Sequence, residues 1–411
     1  MRPENLLDRR PALRWLVPGV ALATIAGVAV LRPAVAGAST GLEPLTAKEL
    51  LVKAQQAEPV PMSGTVRQRF DLGLPELPRG MGGHPGSASL ASLVSGTHTW
   101  RVWYGGERQA RLALIGQSSE SDIILNDRDL WVWSSSENTA RQYVLPAGHT
   151  EQRSGASPGK PTAPTEAQRQ AHRDALIAQG LPDPADPGAV ADWALSQVEP
   201  TTAVEITSLD KVAGRSVYGL VLTPKGSNTL VASVRVAFDG ETFLPLAVQV
   251  NSTKLDKPAI DVSFTDVSFD KPANSVFEFT PPPGTDVTRT DLSDKATKSP
   301  MRKAPGHGSR PEAPSNRAKD ASPYRPVVSG AGWGTVVAGR LPTSRQPGSS
   351  SDAAGSSPQS VREFTRLLPE MPGGGGRVLD GTLFSVVLTD DGRYAVGAVP
   401  PEALYPALPK R

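Results

Sequence analysis

The chain has 411 residues, among them 40 Pro and 39 Gly, with no cysteine and a formal charge of +2. The length allows two or three domains, and the proline and glycine content assigns much of it to linker. The missing cysteines exclude disulfides, thiolate metal sites, a cysteine nucleophile and a lipidated cysteine at an export cleavage site, and the near-balanced charge gives no field that draws in nucleic acid.

At the N-terminus Arg2, Arg9, Arg10 and Arg14 precede the apolar run "WLVPGVALATIAGVAVL", and the small residues Ala34, Ala36 and Ala38 follow it. This reads as an export segment over residues 1–40 whose basic flank stays inside. Its length fits both a cleaved signal peptide and a retained signal anchor on the cytoplasmic membrane. The rest of the chain is then expected outside that membrane, in the periplasm or the cell-wall space.

"LTAKELLVKAQQAEPVP" predicts a helix: Thr46 and Glu49 form a capping box, Leu50, Leu51 and Ala54 an apolar stripe, and Pro59 and Pro61 end it. Strands follow. "SGTVRQRFDL" alternates Val66, Gln68 and Phe70 against Thr65, Arg67 and Arg69, and "THTWRVWYG" alternates Trp100, Val102 and Tyr104 against Thr99, Arg101 and Trp103. A Gly/Pro-rich loop separates these two. "RQARLALIG", "SDIIL", "LWVWSS" and "TARQYVL" continue as an antiparallel meander with short turns.

Residues 146–187 break the pattern with a low-complexity connector and a polar helix, "TEAQRQAHRDALIAQG", and read as an insertion or lid region. "PGAVADWALSQV" is a further helix with Val190, Trp193, Ala194 and Gln197 on one face. Strands resume over "TAVEITSLDKVAGRSVYGLVLTP", "TLVASVRVAFDGETFLPLAVQVN", "AIDVSFTDVSFD" and "SVFEFTPPPGTDV". One domain over 41–287 accommodates all of this. Residues 288–324, rich in Pro, Ser, Lys and Arg, read as a disordered linker. Residues 325–411 read as a small α+β unit, with a helix in "SVREFTRLLPEM" and a hairpin turning at Asp390, Asp391 and Gly392.

Reactive chemistry is not evident. "GASPG" matches the GxSxG nucleophile elbow but lies in a connector, "SLDK" spans a turn where Ser and Lys share no face, and "GAGWG" lacks the strand and helix of a phosphate loop. Asp122, Asp127, Asp129 and Asp239 are read as turn residues. His84, His98, His149, His172 and His307 are scattered without metal-ligand spacing. No enzyme, cofactor or metal is expected.

The ordered set of "MSGTVRQRF", "TWRVWYGGERQARLAL", "SDIILNDRDLWVWSSSENTARQYVL", "VAGRSVYGLVLTPK", "VRVAFDGETFLPLAVQV" and "VFEFTPPPGTDV" resembles the LolA-like lipoprotein carrier family and its RseB (MucB)-like sensor relatives, over about Leu45 to Val287. The resemblance implies a mainly β fold with helices: an incompletely closed antiparallel β-barrel whose helical lid covers a cavity for acyl chains. In such a half-barrel Trp131 and Trp133 are expected to turn inward, with Leu130 and Val132 outward. Strand parity adds Val66, Phe70, Trp100, Val102, Leu112, Leu114, Val234, Val236 and Phe264 as cavity candidates. The carrier's lid-locking arginine has no match, since the corresponding strand reads "RVWYGG". The expected ligand is a lipid or an acylated protein, bound by a carrier or chaperone. The alternative is a regulatory sensor that holds a membrane-bound anti-sigma factor or similar signalling partner.

Overall fold

The computed structural model describes residues 30–31, 41–75, 93, 95–145, 186–198, 200–292, 326–341 and 365–410. The polar helix expected in "TEAQRQAHRDALIAQG", the "GASPG" motif and residues 293–324 of the linker lie outside the described residues, as does most of the export segment.

Helix α1 (Ala47–Gln56) begins at the capping box: Thr46 Oγ1 accepts from the Glu49 amide, and the Glu49 carboxylate accepts from the Thr46 amide at 2.7 Å. A helix of 10 residues is marginal on its own. What holds it is burial of Ala47 and Leu50, with Leu195 of helix α2 (Pro187–Val198), on a strand surface. Among the described side chains of α2, Ala191 and Leu195 are buried and Val190 is half-buried; those of Trp193, Ala194 and Gln197 lie outside the described residues.

The first meander is β2 (Met62–Phe70), β3 (Gly96–Gly106), β4 (Gln109–Ile115), β5 (Glu120–Asn126), β6 (Asp129–Ser134) and β7 (Thr139–Val144), each antiparallel to the next. Its tight turns use Asp127 (φ 55) and Asn138 (φ 50), residue types that tolerate the left-handed region. The second meander is β8 (Thr202–Val212), β9 (Arg215–Pro224), β10 (Val231–Asp239), β11 (Pro245–Ser252) and β12 (Ile260–Ser268). Antiparallel pairing of β12 with β2 joins the two into one sheet.

At one end a two-residue strand, β1 (Val30–Leu31), lies parallel to β8; at the other, β13 (Asp286–Asp291) lies parallel to β7. The order is β1-β8-β9-β10-β11-β12-β2-β3-β4-β5-β6-β7-β13, and the two ends do not pair. The fold is therefore mainly β with helices, a half-open barrel. Residues 288–291, assigned on composition to the linker, instead complete β13. Asn138 anchors this strand, donating to Gly284 O at 2.8 Å and accepting from Thr285 Oγ1 at 3.1 Å, and the alternating Thr288 and Thr290 suit an extended edge.

A second sheet holds β14 (Val327–Ser329), β15 (Val336–Arg340), β16 (Gly376–Asp380), β17 (Ser385–Thr389) and β18 (Arg393–Gly397), in the order β14-β15-β18-β17-β16. Helix α3 (Pro401–Leu404) and the chain after it close its core around Val387, Ala395 and Val399. Within "SVREFTRLLPEM", the described helix is the single turn at residues 365–367. Pro369 ends it by lacking an amide hydrogen and restricting Leu368, and Glu370 then bridges to Arg377.

Candidate functional site

The strand register assigns every residue of the main sheet to one of two faces, because directly paired residues point the same way. One ladder runs Val204, Leu222, Val234, Val250, Ile260 and Phe70 across six strands. The same face continues through Trp100 and Leu114, and through Val102, Leu112, Ile123 and Val132. This is the face on which the helices lie: Leu50, Ala47 and Leu195 pack with Val204, Ile206, Tyr218 and Leu220. Of the expected cavity residues, Val66, Phe70, Trp100, Val102, Leu112, Leu114, Val234 and Val236 share this helix-covered face.

Trp131 and Trp133 do not. They pair with Ile124 and Asp122, which pair in turn with Arg111 and Ala113, and these with Trp103 and Arg101. That ladder is the opposite face. There the segment returning from β12 crosses the sheet and covers the tryptophans with Phe279, at centroid distances of 5.3 and 5.9 Å. The physical reason is that "VFEF" supplies its own aromatic cover, so bulk alone does not say which side of a strand faces the helices. Phe264 also stands apart from the Trp100 patch. It precedes the bulge between Phe264 and Asp266 and packs on Val217, Ala237 and Leu246. Its ring lies against Gly64, where a Cβ would stand 2.5 Å from the Asp266 backbone oxygen and 3.0 Å from ring atoms, so only glycine permits the approach.

The helix-covered face is closed in three places: by α1 and α2 over β8 to β10, by Leu93 over Val66, Trp100, Leu112 and Leu114, and by the C-terminal unit over Phe70, Val234, Val250 and Ile260. A polar network is built in under the Leu93 cover. Trp100 Nε1 donates to Gln68 Oε1 at 2.9 Å, and Gln68 Nε2 donates to Leu93 O at 3.0 Å, so the buried indole and amide are both satisfied. Between these covers lies a half-buried aliphatic row, Val102, Leu112, Ile123 and Val132, flanked by Leu125 and Leu130. Sequence reasoning missed the last four because it pointed the tryptophans inward. The signal that finds them is the Arg111–Asp122 pair: opposite charges on neighbouring strands belong to one face, and that face also holds the tryptophans.

That pair is the main electrostatic feature of the opposite face. Asp122, expected at a turn, sits inside β5 with no exposed surface and forms an ion pair with Arg111, which also donates to Val276 O of the crossing segment at 3.3 Å. Burial pushes the Asp122 carboxyl up to about 6; Arg111 pulls it down, and Glu120 adds to the rise. Asp122 Oδ1 has no hydrogen-bond partner among the described residues, which explains why the ion pair does not offset burial. Arg111 and Arg101 both lie over the Trp103 ring, at 5.5 and 4.9 Å. Asp239 is the contrasting case. Burial raises it, but the Arg215 guanidinium and the Thr242 amide and hydroxyl outweigh burial and hold its carboxyl below the usual range.

Among the described residues no three His, Cys, Asp or Glu side chains gather as a metal site, and no helix is long and apolar enough to cross a membrane. "SLDK" lies on β8 ahead of its turn into β9 rather than spanning that turn.

No family model and no curated protein matches the chain. Among solved structures the chain is similar to MucB, with 14% identity over 87% of this chain and 94% of that one and a TM-score of 0.31. It is similar to the MucA/MucB complex structure of Pseudomonas aeruginosa at 12% identity, over 87% and 93% of the two chains, with a TM-score of 0.34. It is similar to a LolA superfamily protein from Nitrosomonas europaea at 12% identity, over 57% of this chain and 98% of that one, with a TM-score of 0.20.

Proposed function

We propose that the helix-covered face of the main sheet binds an acyl chain or another amphiphile, and that the protein acts without catalysis as an exported carrier or chaperone of lipid or lipidated cargo. The observation that carries this reading is the row Val102, Leu112, Ile123 and Val132, which presents an unbroken aliphatic strip across four strands and is left half-buried by the covers around it. An unbranched hydrocarbon laid on such a strip gains about 0.8 kcal/mol for each methylene removed from water. At β7 the strip ends on Arg141, whose exposed guanidinium stands where an anionic headgroup would leave the sheet. Apolar burial is the driving force, and a chain long enough to run from this row to β8 to β10 displaces the α1 and α2 lid there. The basic and apolar N-terminal segment supports export and contact with the cytoplasmic membrane.

A second reading, a regulatory sensor that holds a membrane-bound anti-sigma factor or other signalling protein, draws support from the C-terminal unit. Its edge strand β14 exposes Val327 and Val328 by 63% and 64%, an apolar edge with no further strand beside it among the described residues, suited to adding an extended peptide strand. The carrier reading is tested by extracting the purified full chain with organic solvent and identifying co-purifying lipids by mass spectrometry. A stoichiometric amphiphile supports it. A lipid-free protein that also ignores added fatty acid and lysophospholipid refutes it and leaves the sensor.

A further inference from the structure

The two sheets share a core whose placement carries a regulatory consequence. Trp333, from the "GAGWG" turn, together with Leu383, Phe384 and Ala398, packs with Val250, Ile260, Val234, Val262 and Phe70. By register these five belong to the helix-covered face. The polar contacts around them all fall at one end of the main-sheet strands. Thr229 Oγ1 and the Leu230 amide donate to Ala398 O at 2.9 and 2.8 Å, and Trp333 Nε1 donates to Thr202 Oγ1. On the other flank, Thr382 donates through its amide to Leu72 O at 3.1 Å and through its hydroxyl to Asp71 O at 2.6 Å, while Lys254 pairs with Asp380.

The C-terminal unit therefore stands across the end of the half-barrel with an aromatic and aliphatic wedge set into the apolar face. Backbone and side chains meet there without slack. Gly332 has φ +54 and no room for a Cβ, which would lie 2.6 Å from the Cβ and Oγ1 of Thr201.

We propose that this wedge is an autoinhibitory stopper: Trp333, Leu383 and Phe384 occupy apolar surface that a bound acyl chain would otherwise cover, so ligand uptake and release of the C-terminal unit are coupled. The proposal rests on the reading of the helix-covered face as the amphiphile site. The wedge and an acyl chain make the same kind of contact with Phe70, Val234 and Ile260, so they exclude each other there. Occupation by a long chain shifts the C-terminal unit toward an undocked state, and docking shortens the chain the site accepts. The unit reports ligand to whatever it binds next, and the "GAGWG" glycines serve the seating of Trp333 rather than a phosphate.

The test uses the full chain and cis-parinaric acid, a fluorescent fatty acid. Three proteins are compared: wild type; a loosened variant, Gly332→Ala with Lys254→Glu; and Leu72→Cys with Thr382→Cys, whose cysteines are the only ones in the chain and lock the unit when oxidised. Hydrogen exchange at residues 382–384 reports docking independently. The expected result is at least fivefold tighter binding by the loosened variant, and at least fivefold weaker binding by the oxidised pair than by the same protein reduced. Equal affinities across the set, with exchange showing the unit released in one variant and held in the other, overturn the stopper while leaving the amphiphile site standing. Absence of binding in every protein, including the loosened one, removes the amphiphile site and the stopper with it.

Discussion

Gln68 is a buried polar residue on a largely apolar face, and the structure fixes what happens when it is changed. Gln68 and Trp100 are each 8% exposed, and the chain of bonds runs from the Trp100 indole through the Gln68 amide to Leu93 O. Gln68→Met keeps length and volume but orphans the indole N–H and the Leu93 carbonyl. An unsatisfied buried group costs about 1–3 kcal/mol, so a loss of about 2 kcal/mol is expected. Trp100→Phe loses apolar area and orphans Gln68 Oε1, for about 2–3 kcal/mol. In the double variant the indole and its acceptor are both gone and only the Leu93 carbonyl remains unmatched. The double variant is then less destabilised than the sum of the singles by about 1–2 kcal/mol. Urea unfolding followed by far-ultraviolet circular dichroism reads all four proteins, since the change of a tryptophan compromises fluorescence. Additive losses, within about 0.5 kcal/mol, refute the linked network.

Asp122 sets a pH dependence. Its folded pKa of about 6 lies above the value of about 3.9 for an unfolded aspartate, so its contribution is full below about pH 4, is lost as pH rises to about 6, and is constant above. The two-unit difference, in which the pull of Arg111 is already included, bounds the effect at about 3 kcal/mol. Relative to Asp122→Asn, wild type should lose about 1–3 kcal/mol between pH 4 and pH 7, and a flat difference in urea midpoints contradicts the assignment. Arg215→Met leaves the fully buried Asp239 carboxylate without its bidentate partner, and about 3–5 kcal/mol of stability should go, with a smaller loss under acid, where Asp239 protonates. A loss below about 1 kcal/mol at pH 7 shows that the pair is not structural.

Strand identity was legible because these strands alternate: Val66, Gln68 and Phe70 against Arg67 and Arg69, and Trp100 and Val102 against Arg101, take opposite faces in the structure as their pattern dictates. The capping box at Thr46 was equally readable, since its signal is local. What alternation does not contain is which face meets the helices. For "LWVW" both sides are apolar, and the deciding fact is the return of Phe279 from a segment far along the chain. The same distance hid Asp122, whose partner Arg111 lies across a strand pair, and the wedge, since nothing in "GAGWG" announces that Trp333 seats beside Thr202. The extent of β13 was misjudged because a polar edge strand has the composition of a linker.

The most direct measurement places one charge on each face of the same sheet. Leu112→Glu puts a carboxylate in the aliphatic row, and Trp131→Glu puts one beneath Phe279 on the other side. Binding of cis-parinaric acid is then measured on proteins shown by circular dichroism to be folded. The account predicts that Leu112→Glu abolishes binding while Trp131→Glu retains it within about twofold of wild type. Retention by Leu112→Glu together with loss in Trp131→Glu contradicts it and moves the ligand to the face that bears the tryptophans.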